Sequence, residues 1–354
     1  MKKITFFIYD MYTGGGIERV VSLIANEMSK KYEVEIISLY KTKKVPCYKL
    51  NDNIKLTYIL EKELFPLKLY YPYLMYCTRK KLKNYKTDVF ICASMGFVGL
   101  NIFMRKRAKY IAWEHANTSI GGFGDKLWLG RIIAAKYADK IVVLTKKDMK
   151  MNIDKYRTSN KIVQIYNPIE KINLSDAYLR DSKKIVSCGR FQYQKGFDML
   201  VDVADKILKK HKDWEWHIYG DGPQKEMIEN IIKERNLEKN LKLMGRVNNM
   251  NEKYKDYAMF VMTSRYEGFA MVNIEAHFAK LPIVSFNCNC GPDEIIQDGI
   301  NGYLVDCFDT NQMAEKINYL IENSDVRIQM SQNTSLDKEK LDMKNIIKEW
   351  EKII

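Results

Sequence analysis

Two glutamates with a short spacing carry the clearest chemical signal in the sequence. Glu267 and Glu275 are separated by seven residues. If a helix begins near Ala270, Glu267 lies on the loop before it and Glu275 projects from its second turn. Carboxylates accept hydrogen bonds from vicinal hydroxyls, and free backbone N–H groups at a helix start bind phosphate. The stretch is therefore interpreted as a sugar-nucleotide site. A loop carboxylate plus a surface helix carboxylate is the alternative if it stands alone.

Cations follow a predicted strand in the second half of the chain. Gly189 and Arg190 come directly after this strand, and Lys195 precedes a helical pattern. A guanidinium can fork onto phosphate oxygens, and an ammonium adds a point charge. These residues predict a phosphate site at the carboxyl edge of the sheet, whereas solvated surface charges are the alternative.

Two glycine turns follow other predicted strands. The glycines at 14–16 lie between the first strand and a helical pattern, so backbone N–H groups there can approach an anion. The turn at 219–223 is interpreted as structural first, and Asp221 could cap a helix beginning at Pro223. The turn at 14–16 lacks the spacing of a dinucleotide fingerprint or a P-loop, so a tight turn without a ligand is its alternative.

One of the four histidines differs from the other three in its sequence surroundings. His115 follows a predicted strand and precedes the glycine-rich segment 121–124, which favours a place in a cleft. The remaining histidines are interpreted as structural: His211, His217 and His277.

The elements that position these residues come from hydrophobic periodicity. Short runs rich in β-branched and aromatic residues alternate with helical patterns, which is typical of doubly wound parallel sheets. The predicted strands of the first half are 4–10, 34–39, 88–92, 109–113 and 141–144. Those of the second half are 185–188, 215–219, 241–243, 259–262, 283–285 and 303–305.

The alternation predicts an α/β protein of two Rossmann-like domains facing a central cleft. The first domain is placed at residues 1–170 and the second at 171–337, with a linker near 167–183, where Pro168 disfavours helix. A final amphipathic helix at 338–354 is expected to pack back on the first domain.

The composition limits the classes of protein to which the chain can belong. The 354 residues are 46% hydrophobic and 29% charged, which is typical of a globular protein with real cores. The seven cysteines are scattered and form no disulfide framework, and Cys288 and Cys290 are expected to be apolar residues at a strand edge rather than a metal site. Without an apolar run of about 18 residues, a cytoplasmic protein is expected.

Charge is distributed unequally between the halves. Residues 1–170 contain 31 Lys and Arg against 15 Asp and Glu, a net charge of +16, whereas the remainder carries 27 against 29, a net charge of −2. The basic half suits phosphorylated substrates, anionic lipid or nucleic acid.

Taken together, these segments resemble the family-4 glycosyltransferases, retaining enzymes of the GT-B fold that use nucleotide-diphosphate sugars. Nearly the whole chain is covered. The matching pieces occur in the family's order: 14–19, 114–117, 189–190 with 195–196, 219–223, Glu267 with Glu275, 291–296 and 299–305.

The resemblance implies a donor site mainly in the second domain and an acceptor site in the first. It assigns Arg190 and Lys195 to the diphosphate, Glu275 to the ribose hydroxyls, Glu267 to the donor sugar and His115 to the sugar's 6-position. The implied catalytic residues are His115, Arg190, Lys195 and Glu267. The implied nucleotide-sugar contacts are Gly14, Gly15, Gly16, Gly189, Arg190, Lys195, Gly220, Glu267, Gly268, Phe269, Ala270, Met271, Val272 and Glu275. No cofactor or metal is expected, and a UDP-sugar is favoured over a GDP-sugar.

The acceptor is predicted from the first domain. Aromatic residues at 65–76 precede basic residues at 79–83, and 105–107 extends the basic patch. Such a segment can lie on an anionic bilayer, which suggests a lipid-linked glycan acceptor at the inner face of the membrane. A solvated helix with buried tyrosines is the alternative.

Two other classes of protein stay open at this point. A sugar-nucleotide epimerase of the same fold would also bind a nucleotide sugar, but it needs no acceptor. A nucleic-acid-binding protein is prompted by the pI of about 9.2, although no recognised motif supports it.

Overall fold

Parallel strands alternating with helices build both halves of the chain. The computed structural model describes residues 1–64, 66–122, 125–169, 178–247, 249–333 and 338–354. The chain divides into two compact units. Unit 1 comprises Met1–Glu170 with Glu339–Ile354, and unit 2 comprises Lys171–Lys338. Each unit has its own parallel sheet and its own hydrophobic core.

Unit 1 contains a seven-stranded parallel sheet in the order β3-β2-β1-β4-β5-β6-β7. Its strands are β1 (Lys3–Asp10), β2 (Glu33–Tyr40), β3 (Lys55–Leu60), β4 (Val89–Cys92), β5 (Lys109–Trp113), β6 (Lys140–Val143) and β7 (Ile162–Gln164). Its helices within residues 1–170 are α1 (Gly16–Met28), α2 (Leu67–Leu82), α3 (Val98–Asn101), α4 (Lys126–Tyr137) and α5 (Lys146–Tyr156), with 3₁₀ helices at Met95–Phe97 and Ile102–Lys106.

Unit 2 contains a six-stranded parallel sheet in the order β10-β9-β8-β11-β12-β13. Its strands are β8 (Lys184–Cys188), β9 (Glu215–Tyr219), β10 (Leu241–Gly245), β11 (Met259–Met262), β12 (Ile283–Phe286) and β13 (Gly302–Val305). Its helices are α6 (Phe197–Lys210), α7 (Lys225–Glu234), α8 (Asn251–Tyr254), α9 (Met271–Phe278), α10 (Pro292–Ile295), α11 (Thr310–Glu322) and α12 (Ser324–Gln332), with a 3₁₀ helix at Tyr193–Lys195.

All predicted strands are present, and the structure adds β3 and β7. These two strands form the outer edges of the sheet in unit 1. An edge strand has a neighbour on one side only, and no residue of β3 or β7 is fully buried. Their sequences therefore lack the dense apolar runs by which the inner strands were found.

The expected C-terminal helix is interrupted. The chain forms α13 (Lys338–Leu341) and α14 (Met343–Glu351), and the Asp342 side chain accepts the N–H of Lys344 at 2.8 Å between them. Asp342 thus caps a new helix instead of continuing the previous one. Helix α14 packs on α1 within unit 1, where Lys31 pairs with Glu351 at 2.8 Å.

The strand order of unit 2 reverses between β8 and β11. The chain proceeds from β8 to β9 and β10 on one side, and β11 begins the other side. The loops after β8 and β11 therefore flank the point at which open α/β sheets bind ligands. These loops carry Arg190, Lys195 and Glu267.

Two further sequence expectations concern the linker between the two units and the presence of membrane-spanning helices. The predicted linker at 167–183 ends where β8 begins at Lys184, and residues 170–177 within it lie outside the described residues. Among the helices that the structure describes, none is both long and apolar enough to cross a bilayer.

Candidate functional site

The loops 189–196 and 263–270 of unit 2 are joined through a glycine. Gly196 has a φ of 63°, and a Cβ there would lie 2.2 Å from the carbonyl oxygen of Thr263. The Thr263 hydroxyl donates to the carbonyl oxygens of Lys195 and Gly196 at 3.2 and 3.0 Å. Glycine is required at this position, because any side chain would push the loops apart.

Arg265 joins the same loops a second time. Its guanidinium forks onto the Asp198 carboxylate at 2.9 and 2.5 Å and lies over the Tyr193 ring, 4.0 Å from the ring centroid. Its backbone N–H donates to the carbonyl oxygen of Gln194 at 2.8 Å. Sequence reasoning missed this arginine, because nothing near Arg265 indicates a partner 67 residues away.

The joined loops bring Lys195 and Glu267 into direct contact. The Lys195 Nζ donates to the Glu267 Oε1 at 2.6 Å, and the two side chains are 18% and 7% exposed. Burial by itself would lower the pKa of Lys195, but the carboxylate beside it outweighs burial and holds that pKa above its ordinary value. Lys195 is therefore a cation at neutral pH, and a phosphate placed here would compete with Glu267 for it.

Arg190 differs from Lys195 in its surroundings. It is exposed, and no ion-pair partner for it is found in the part of the chain that the structure describes. Beside it, a Cβ on Gly189 would lie 3.3 Å from the Lys195 side chain, so the glycine leaves room for that side chain. A guanidinium without an ion-pair partner among the described residues and a paired ammonium thus follow the same strand.

Glu275 lies on the second turn of α9 and is buried. The Tyr254 hydroxyl donates to the Glu275 Oε2 at 3.3 Å and lies 3.2 Å from the Cys188 Sγ. Burial raises the pKa of Tyr254 well above its ordinary value, so this hydroxyl stays protonated and can donate. The contact holds the Glu275 carboxylate against α8, which the sequence did not predict.

Helix α9 begins in a strained backbone conformation. Ala270, its N-cap, has a φ of 48°, which is uncommon for a residue with a Cβ. The N–H groups of Met271 and Val272 have no backbone acceptor among the described residues, as expected for a first helical turn. The segment that follows Glu267 therefore offers free donors for an anion.

Two local expectations in unit 2 are wrong. Helix α7 begins at Lys225, and the Asp221 carboxylate accepts the N–H of Gly222 at 2.9 Å, so Asp221 does not cap a helix at Pro223. Strand β12 ends at Phe286, so Cys288 and Cys290 lie beyond the strand edge, in a loop. Gly220, in the turn at 219–223, packs against the backbone of the loop after β8. A Cβ on Gly220 would lie 1.9 Å from the Gly189 carbonyl oxygen.

In unit 1, His115 follows β5 in a water-poor environment. Its ring packs on Trp113 with the centroids 4.3 Å apart, and its Nε2 is buried without a hydrogen-bond partner among the described residues. Burial lowers the pKa of His115 from 6.5 to about 3. The imidazole is therefore neutral at physiological pH and can exchange a hydrogen bond with a hydroxyl. Phe123 and Gly124 of the glycine-rich segment lie outside the described residues.

The lowered pKa of His115 predicts that the free energy of unfolding falls in acid. Above pH 6.5 the imidazole is neutral in both the folded and the unfolded chain. Below that pH, the unfolded chain takes up a proton that the folded chain, with a pKa of about 3, does not bind. Stability should therefore fall by at most about 1.4 kcal/mol per pH unit until the folded pKa is reached.

The His115→Phe variant tests this loss. Urea unfolding of the variant and the parent is compared at about pH 7, where the linkage term is small, and at about pH 4.5, where it has grown over about two pH units. We expect a smaller acid loss in the variant, and equal losses would contradict the assignment.

The glycines at 14–16 stand before a helix whose first turn already faces a carboxylate. Glu18 is 7% exposed, accepts the hydroxyl of Thr13 at 3.0 Å, and lies so close that a Cβ on Gly15 would be 2.3 Å from its Oε2. Burial raises the pKa of Glu18, although hydrogen bonds from Thr13 and the Gly15 backbone oppose this shift. Glu18 thus occupies part of the anion site predicted there. An acidic residue in the first turn of a helix, where the helix dipole favours negative charge, is the signal that could have indicated it.

The other three histidines belong to unit 2, and two of them bond within that unit. His217 lies 2.9 Å from both the Tyr257 hydroxyl and a Glu215 oxygen, and His211 lies 2.9 Å from the Asn318 Oδ1. His277 is buried on α9. Within the described ranges, no cluster of three or more His, Cys, Asp and Glu is placed to hold a metal ion.

Comparisons with known proteins agree with this architecture. The family model described as Glycosyltransferase Family 4 matches residues 14–171, and the model described as Glycosyl transferases group 1 matches residues 172–337. A glycosyltransferase of Haemophilus influenzae is 31% identical over 100% of both chains. The amylovoran biosynthesis glycosyltransferase AmsD of Erwinia amylovora is 27% identical over 100% of both chains.

Solved structures show the same fold. A mutant of TarM from S. aureus, solved with UDP and α-GlcNAc-glycerol, has a TM-score of 0.83 at 19% identity, covering 100% of this chain and 99% of that one. HepE from Anabaena, solved with UDP, has a TM-score of 0.79 at 17% identity, covering 99% of each chain. Because family models match both halves of the chain and a full-length relative is 31% identical, this chain belongs to the family-4 glycosyltransferases of the GT-B fold.

Proposed function

We propose that this glycosyltransferase moves a hexose or N-acetylhexosamine from a nucleotide-diphosphate sugar, preferably a UDP-sugar, to a glycan or lipid-linked glycan in surface polysaccharide or glycoconjugate synthesis, with retention of configuration. The observation that carries the proposal is the Lys195–Glu267 contact at the switch point of unit 2. A cation for the diphosphate and a carboxylate for sugar hydroxyls lie there side by side.

The donor would be bound by residues of three kinds. Arg190 and Lys195 bind the diphosphate, Glu267 binds the sugar, and Glu275, held by Tyr254, binds the ribose. The free N–H groups at the start of α9 add donors for the phosphate. UDP in the solved structures of TarM and HepE supports a uridine donor.

The reaction proposed is attack on the same face of the sugar. The bond between C1 and the diphosphate oxygen breaks, the acceptor hydroxyl oxygen bonds to C1, and its proton passes to the departing phosphate oxygen. Charge grows on that phosphate, so Arg190 and Lys195 stabilise the transition state in a fixed position. We expect these side chains to serve without a metal ion, so a chelator should leave turnover unchanged.

The acceptor is proposed from the names of relatives and from the surface of unit 1. A Campylobacter jejuni relative, 25% identical over 100% of this chain and 98% of its own, is named for a PP-undecaprenol-linked acceptor. AmsD is named for amylovoran biosynthesis. The first name supports a lipid-linked acceptor, and the second supports a role in glycan biosynthesis.

The function is tested by donor binding and then by transfer. A thermal-shift panel of UDP- and GDP-sugars selects the donor, because a ligand that binds only the folded state raises its stability. The chosen donor is then incubated with a lipid-linked glycan, and NMR reads the anomeric configuration of the product. An inverted product would refute retention, and free rearranged nucleotide sugar without transfer would refute the transferase role.

A layer of helices in unit 1 supports peripheral binding at the inner face of the cytoplasmic membrane. Helix α3 contacts both α2 and α4. Exposed apolar side chains occur on both outer helices: Leu69, Tyr73 and Tyr76 on α2, and Leu129, Ile132 and Tyr137 on α4. We call this surface the bilayer face. Its α4 portion was not predicted from the sequence.

The charges of the bilayer face are of one sign. Helices α2 and α4 and the 3₁₀ helix at Ile102–Lys106 contain no Asp or Glu. Arg105 lies over the Tyr137 ring, 4.7 Å from its centroid, so a basic and an aromatic side chain are in contact there. Aromatic side chains beside unopposed cations fit the interface of an anionic bilayer.

Vesicle binding tests this face. At low salt the protein should sediment with vesicles of anionic phosphatidylglycerol and not with neutral phosphatidylcholine. The Tyr73→Ser/Tyr76→Ser variant should bind about tenfold more weakly, because less apolar surface is buried on binding. Tyr319→Ser, which changes a tyrosine of unit 2 that is 45% exposed, is the matched control. Equal binding of all three proteins would contradict the proposal.

A further inference from the structure

A buried arginine of α4 holds the loop that carries His115. Arg131 is 1% exposed, and its Nε donates to the Glu114 Oε2 at 2.6 Å. Its other donors reach the carbonyl oxygens of Asn117 at 2.9 Å, Thr118 at 3.3 Å and Ile120. One side chain thus binds the loop 114–120 near both of its ends.

Glu114 completes this arrangement from the other side. Its carboxylate is 1% exposed, and while Oε2 accepts from Arg131, Oε1 accepts the N–H of Ala116 at 3.0 Å. Burial raises the pKa of Glu114, and the charge of Arg131 opposes that shift. His115 thus lies between Glu114, which bears the carboxylate, and Ala116, whose N–H donates to it.

Helix α5 holds the far part of the loop. The Asp148 carboxylate accepts the N–H of Thr118 at 2.7 Å, and the Asn152 side chain donates to the Thr118 hydroxyl at 3.2 Å. The backbone around His115 is therefore bound to two helices. An apolar core residue could fill the place of Arg131, but it could not bind three carbonyl oxygens and a carboxylate in fixed directions.

We propose that Arg131 is a positioning residue of the transfer reaction, which fixes the loop 114–120 and with it the position of the His115 imidazole within unit 1. The inference rests on the proposed transferase function and on the role at the donor sugar that the family resemblance implies for His115. Arg131 itself touches no substrate and acts through the loop backbone. The Trp113 ring, 4.3 Å from the His115 ring, supports the imidazole on one side. A loop released from Arg131 would let the imidazole move by an ångström or more, which is enough to slow a positioned reaction.

The test is the variant Arg131→Lys. Lysine keeps a cation beside Glu114 but lacks the planar fork, so it cannot bind the three carbonyl oxygens at once. We expect kcat to fall by about ten- to a hundredfold while the affinity for UDP changes by less than about twofold. The matched control is Arg327→Lys, since Arg327 is 4% exposed in unit 2 and donates to the carbonyl oxygens of Leu320 and Ile321. The control should keep its kcat.

A double-mutant cycle with His115→Ala decides whether Arg131 acts through the histidine. In the His115→Ala background, Arg131→Lys should change kcat by less than about twofold. A loss of the same size with and without His115 would overturn the proposal, because it would show a general structural effect. If His115→Ala alone leaves kcat unchanged, the proposed role of His115 fails and the inference fails with it. If only Arg131→Lys leaves kcat unchanged, the inference fails alone.

A second variant covers the case in which Arg131→Lys does not fold. Glu114→Gln keeps the shape of the side chain and leaves the carbonyl contacts of Arg131 in place, while it removes the charge that binds the Arg131 Nε. We expect a smaller loss of kcat, of about threefold, that again disappears in the His115→Ala background. A loss that persists there would overturn the proposal as well.

Discussion

Lys195→Gln is expected to lower kcat by roughly 10²–10³-fold, because it removes a cation held in place for the departing diphosphate. The same change leaves the Glu267 carboxylate, 7% exposed, without the ammonium that lies 2.6 Å from it. Breaking a buried pair in this way should also reduce the free energy of unfolding by about 3 kcal/mol. Steady-state kinetics and urea unfolding measure the two effects separately.

The double variant Lys195→Gln/Glu267→Gln separates a catalytic from a structural pair. It removes both charges and keeps a hydrogen bond between the side chains, so most of the lost stability should return. If the pair works on the donor, activity should stay low despite the restored stability. Recovery of activity together with stability would show that the pair only holds the loops together. Lys225→Gln, which changes an exposed lysine at the start of α7, is the control for loss of positive charge in unit 2.

Trp350→Ala should lower the free energy of unfolding of unit 1 by about 3–5 kcal/mol, which is typical of a large aromatic side chain removed from a core. Trp350 is fully buried, and its ring meets the edge of the Trp113 ring with the centroids 4.8 Å apart. Since Trp113 also packs on His115, the C-terminal helix supports the His115 region of unit 1.

Calorimetry with UDP distinguishes the units in this experiment. UDP should raise the melting temperature of unit 2, which holds the proposed donor site. Trp350→Ala should lower the melting temperature of unit 1. Trp350→Phe should recover part of the loss, because an aromatic ring of smaller volume remains. If Trp350→Ala left both transitions unchanged, the Trp113–Trp350 contact would contribute nothing to stability.

The secondary structure was largely predictable because its signals are local. Inner strands such as β1 and β8 are dense apolar runs, and sequence reasoning found them. The edge strands β3 and β7 were missed because half-burial leaves a weak pattern. The first-turn position of Glu18 was also readable from the sequence, but the glycines before it were interpreted as an anion site or a tight turn, without a role for this carboxylate.

The relation of Glu267 to Glu275 was determined by the sequence alone, because both lie within a few residues of one helix start and helix geometry sets their offset. The family was equally determined there, through the order and spacing of its motifs. Contacts between distant residues were decided only by the tertiary structure. Lys195 meets Glu267 across 72 residues, Arg131 of α4 meets Glu114 in the loop after β5, and Trp350 of the C-terminal helix meets Trp113. Local propensity contains no information about such pairs, since the distance between them depends on how the packed elements place their loops.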